Sequence, residues 1–130
     1  MAQTPASIDN STPDAVRLPA RPIDLVHLAR QCLGDAGLEH EILRLFETTA
    51  RTYFGRLEIA VTAEDMALNL HSLKGAASGI GAWAIADLAK TAEADLQAGH
   101  RPSAERISDL SIAIEESSAF IADFLGQEEE

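Results

Sequence analysis

Aromatic side chains are scarce in this sequence, 5% of 130 residues, and cysteine is nearly absent, Cys32 standing alone. One thiol permits no internal disulfide, which fits a reducing compartment. Set in an apolar helical pattern, Cys32 is also a weak candidate for a catalytic nucleophile. Little Val, Tyr or Phe beside much Ala, Leu and Ile favours helix over sheet. Positive charge is short too. Ten basic against 21 acidic residues leave a net charge of −11, so counterion release from a phosphate backbone has little to act through, and no nucleic-acid partner is expected. No run approaches the roughly 20 apolar residues of a membrane span, so no membrane partner is expected either. The opening "MAQTPASIDNSTPDAVRLPARP" lacks a basic start followed by an apolar stretch, so no secretory signal is expected and the cytoplasm is the default location.

Two catalytic signatures are also missing. A di-metal site in a helical bundle uses Glu-x-x-His pairs on facing helices. Here the residues three before His27, His40, His71 and His100 are Asp24, Gly37, Leu68 and Gln97, so neither metal nor other cofactor is expected in this chain. Neither G-x-x-x-x-G-K-[ST] nor G-x-G-x-x-G occurs, so the chain is not expected to bind ATP or to act as a kinase.

What remains is helical periodicity. A chain of this length buries roughly two-thirds of its unfolded surface, enough for one core. Residues 1–21 read as a flexible leader, since four of the five prolines fall by residue 22 among Ser, Thr, Asp and Asn. "IDLVHLARQCL" then places Leu25, Leu28, Ala29 and Cys32 on one side of a short helix ended by the Gly34–Gly37 turn. From Leu38 to Val61, apolar residues at 42, 46, 50, 53, 57 and 60 recur in steps of four and three, as a buried helical stripe does. Thr62 is a candidate N-cap for a helix whose stripe is Met66, Leu70, Leu73, Ala77 and Ile80, closing at Gly79 or Gly81. Another helix spans Ala82–Ala98 with Ile85, Leu88, Ala92 and Leu96 inward. The last starts after Ser103, carries Ile107, Leu110, Ile114, Ser117, Ile121 and Phe124, and is expected to end at Gly126. The expected fold is all-α: an antiparallel up-and-down four-helix bundle over 22–126 with a short additional N-terminal helix, followed by an acidic tail at 127–130.

The stretch "NLHSLKGAASGIGA" carries the chemistry. Residues three or four apart are neighbours on a helix, so His71, Lys74, Gly75 and Ser78 share a face turned away from Leu70, Leu73 and Ala77. A neutral imidazole attacks phosphorus only with one nitrogen free and in line with the leaving oxygen, and the spread negative charge must be neutralised. Lys74 supplies positive charge, Gly75 removes a side chain that would hold a partner away, and Ser78 offers a donor to a phosphoryl oxygen.

"HSLKGAASGIGA" resembles the signature of the histidine phosphotransfer (HPt) domain, and the likeness extends over about residues 22–125, from "PIDL" through the Phe46-containing helix to "LAKTAEADLQAG". Many members of that family have Ala where this chain has Leu70, a position read here as inward. The resemblance implies a stand-alone monomer of two-component phosphorelay signalling. In it His71 accepts a phosphoryl group from the aspartyl phosphate of a response-regulator receiver domain or hybrid histidine kinase and passes it to another receiver. It further implies that Lys74 holds the phosphoryl group, that Gly75 admits the partner, that the Leu38–Val61 helix joins the docking face, and that any Mg²⁺ belongs to the receiver.

Against this stands a second class, a bundle that binds and sequesters a receiver or kinase without being phosphorylated. The other three histidines read as ordinary surface residues, Gly79 and Gly81 as a helix end and turn, Trp83 as a packing anchor, and the acidic helix faces as solvent-facing charge.

Overall fold

Five helices, and no strand among the described residues 21–129, make up the computed structural model: α1 (Leu25–Gln31), α2 (Ala36–Ile59), α3 (Ala63–Ile80), α4 (Trp83–Gln97) and α5 (Ala104–Glu129). The expected leader, apart from Arg21, and the last residue of the expected tail lie outside these residues. Four helix starts are fixed by side-chain oxygens that accept a backbone N–H from the first turn. Asp24 accepts from His27, Asp35 from Leu38, Thr62 from Asp65 and Ser103 from Arg106, at 3.0–3.1 Å. Each such cap is worth about 1 kcal/mol.

Because Asp35 provides the cap, α2 begins two residues before Leu38 and takes Gly37 into its first turn; it ends at Ile59, not Val61. Gly126 does not end α5, which runs through it to Glu129, so most of the expected acidic tail is helical. A glycine stops a helix when it turns left-handed, and Gly126 is not among the positive-φ glycines.

α3 packs between α2 and α4, α5 closes the bundle against both, and α1 packs on α3 and α2. The core takes Leu43, Phe46, Ala50 and Leu57 from α2, Leu70, Leu73, Ala77 and Ile80 from α3, Ile85, Ala86, Ala89 and Ala92 from α4, and Leu110, Ala113, Ile114, Ser117 and Ile121 from α5. Ile23, Leu28 and Cys32 join it from the N-terminal segment. Leu43 is fully buried where the periodicity favoured Ile42, which sits half-buried at the edge with Tyr53. The stripe is wider than one row because α2 meets α3 on one flank and α5 on the other.

One turn fixes the end of the helix that bears His71. Gly81 closes α3 at φ 84°, its N–H bonding the Ser78 carbonyl at 3.3 Å while the Ala82 N–H bonds Ala77 at 2.8 Å, the paired bonds of a Schellman end. Gly79, read from the sequence as part of this turn, lies within the helix. The Asp24 N–H donates to the Gly81 carbonyl at 2.9 Å, and a Cβ on Gly81 would stand 2.9 Å from Asp24 Cβ and 3.1 Å from its backbone oxygen. Asp24 also accepts the Trp83 indole N–H at 2.9 Å, which with the His27 N–H holds its carboxyl below the usual carboxylate range. Trp83, expected to be a packing anchor, is 43% exposed, held at the surface by this bond and by the edge of His27. His27 is not the ordinary surface residue expected: it is half-buried, edge-on to Trp83 with ring centroids 4.9 Å apart.

Gly81→Ala combines a left-handed backbone with a collision against backbone and Cβ, and is expected to cost about 2–3 kcal/mol. A urea midpoint equal to that of the wild type would show that α1 does not hold this turn.

Candidate functional site

With Leu70, Leu73, Ala77 and Ile80 turned inward, the opposite side of α3 is left to His71 and Gly75, both exposed, with Lys74 and Ser78 half-buried at its edge. Leu70, the departure from the family pattern, is completely buried and so belongs to packing. The His71 side chain is 71% exposed. Its Nδ1 lies 3.2 Å from Oε2 of Glu93 on α4, and Lys74 Nζ lies 2.8 Å from the other oxygen, Oε1, of the same carboxylate. Glu93 is only 13% exposed. A carboxylate that far from water needs partners, and here it has an ammonium and an imidazole.

The pairing fixes the imidazole's chemistry. An ionised carboxylate only accepts, so the proton of a neutral His71 sits on Nδ1 and donates to Glu93, leaving the Nε2 lone pair free. Lys74 is held one turn along by the same anchor.

Glu93 was missed by sequence reasoning, which took the acidic helix faces to be solvent-facing charge alone. A signal was available. Ala86 and Ala89, seven and four residues before Glu93, are buried, and Ala92 precedes it, so the carboxylate falls at the margin of the apolar stripe. Ser78 stands apart from this group: its hydroxyl makes no hydrogen bond among the described residues, and its carbonyl serves the Gly81 turn. A Cβ on Gly75 would meet nothing within 4 Å, so packing inside the molecule does not require a glycine there.

Apolar surface flanks the face. Leu68, one turn before His71, is 63% exposed, and between α2 and α3 runs a shallow groove of about 250 Å³ lined by Ile42, Leu45, Phe46, Thr49, Ala76 and Ile80. Among the described residues, no group of three or more His, Cys, Asp or Glu side chains is placed to hold a metal ion. Among the same residues, no helix is long and apolar enough to cross a membrane.

The model of the Hpt domain family matches residues 41–121, from α2 into α5, a span that contains the whole His71 face and Glu93. The chain belongs to the Hpt family. Hpt domains are phosphocarriers of phosphorelays and work with receiver domains and kinases, so a carrier role follows for this Hpt domain. Its fold is similar to the crystal structure of the histidine phosphotransferase ShpA from Caulobacter crescentus, with a TM-score of 0.64 and 22% identity, covering 82% of this chain and 93% of that one. No curated protein sequence gives a significant match.

Proposed function

We propose that this Hpt domain relays phosphoryl groups between receiver domains through Nε2 of His71. The observation that carries the reading is the shared Glu93 carboxylate, 3.2 Å from His71 Nδ1 and 2.8 Å from Lys74 Nζ, beneath a face that lacks side chains of any size at Gly75. In the forward step the P–O bond of a receiver's aspartyl phosphate breaks as the P–Nε2 bond forms. The electron pair of the broken bond leaves on the aspartate carboxylate, and the Nδ1 proton stays where Glu93 holds it. The return step reverses this toward a second receiver.

Such a transfer rests on positioning and charge neutralisation, with no proton to move. Lys74, anchored one turn from His71, supplies charge to the phosphoryl oxygens, and Ser78 is the more distant donor. Mg²⁺ belongs to the receiver, and the chain works as a monomer without kinase activity of its own. Leu45, Leu68 and the α2–α3 groove give an apolar surface on which a receiver can dock.

The test is a profile against the receiver domains of the source organism, each charged with labelled phosphate from acetyl phosphate. Transfer of label to this chain as an acid-labile, alkali-stable adduct is expected from one or two of them. Receivers that bind without delivering label would leave a non-covalent binding module in place of a relay.

A further inference from the structure

Lysine occurs only twice in the chain, at positions 74 and 90; the other eight basic residues are arginines. Both lysines lie at the His71 face. Glu93 touches His71 and Lys74 together, which sets the register of antiparallel α3 and α4. Lys90 is three residues before Glu93 on α4, on the same side and about 4.5 Å further along the axis, toward the C-terminal end of α3. That places it level with Gly75 and Ser78, with no side chain at Gly75 to cover it.

The two lysines differ in how they are used. Lys74 is 31% exposed and ion-paired with Glu93 at 2.8 Å. Lys90 is exposed and makes no ion pair or side-chain hydrogen bond among the described residues. The acids nearest to it along α4, Asp87 and Glu93, are each one turn away and neither bonds it. A solvated cation with no partner, on a chain of net charge −11, is available to a negative surface that approaches His71.

We propose that Lys90 is a docking cation for the carboxylate-rich rim of the phosphoryl donor and acceptor domains. The inference rests on the proposed relay through His71. A domain that carries phosphate on an aspartate and holds Mg²⁺ beside it gathers carboxylates there, because Mg²⁺ takes carboxylate oxygens. On a chain of net charge −11, an exposed and unpaired Lys90 beside His71 gives such a rim a local attraction that opposes the overall repulsion. Lys90 acts before chemistry, on encounter, and does not touch the phosphoryl group.

Transfer kinetics with the receiver that labels the wild type fastest separate these roles. Lys90→Gln is expected to raise the apparent KM about three- to tenfold with the maximal rate unchanged, Lys90→Glu to raise it further, and the difference from wild type to shrink at high salt. Arg106→Gln, on α5 and paired with Asp95 away from the His71 face, changes net charge equally and should leave KM near the wild-type value. An unchanged KM in Lys90→Gln, or a loss confined to the maximal rate, overturns the proposal. Titrating the receiver that binds the chain most tightly, whether or not it delivers label, against His71→Gln with and without Lys90→Gln keeps the two readings apart. Weaker binding of the double variant supports the docking role even where no label reaches His71, a result that would remove the relay alone. Equal binding removes the docking role.

Discussion

His71→Gln is expected to accept no label from any phosphorylated receiver while folding as the wild type does. The imidazole is 71% exposed and among the described residues its side chain bonds only Glu93, at 3.2 Å, so its removal should change stability by about 0.5 kcal/mol or less. Glutamine keeps a donor toward Glu93 but has no nitrogen lone pair with which to attack phosphorus. The other histidines offer no substitute. His27 and His40 are half-buried and packed edge-on against Trp83 and Phe124, and His100 lies beyond the far end of α4, away from Lys74 and Glu93. Label on the variant, with an unchanged urea midpoint, would refute the assignment of His71.

The second large effect belongs to Gly75, where activity and stability should move in opposite directions. Alanine or leucine in place of a mid-helix glycine stabilises the helix by about 1 kcal/mol, and nothing within 4 Å of the new Cβ resists it. A leucine there rises from α3 one turn from His71 and holds a docking partner off, so transfer should fall on the order of a hundredfold, the cost of misplacing reacting groups by an ångström or more. Alanine should lose much less. If Gly75→Leu transfers at the wild-type rate, the partner does not approach over this face.

The architecture was legible because its signals are local. Thr62 and Ser103 announced two helix starts, and the α3 stripe from Leu70 to Ile80 is buried residue for residue as its spacing required. The site was legible in part for the same reason, since His71, Lys74 and Gly75 lie within one turn and a half of a single helix. Glu93 was not, because its contact with His71 spans 22 residues and depends on how two helices are placed against each other. Asp24 is a similar case. Its cap on α1 is a local event, but its bonds to Gly81 and Trp83 reach across the chain to a turn that its own neighbours do not announce. Gly126 failed in the other direction, for a glycine permits a stop without imposing one.

The concentration of lysine at 74 and 90 also makes the site chemically addressable. Amine-directed reagents find side-chain amines at those two positions alone. The two are unequal, because Lys74 has its ammonium tied to Glu93 while Lys90 stands in solvent. A short amine-to-carboxyl cross-linker therefore anchors on Lys90 first, and the peptides that it joins map whichever surface has settled over His71.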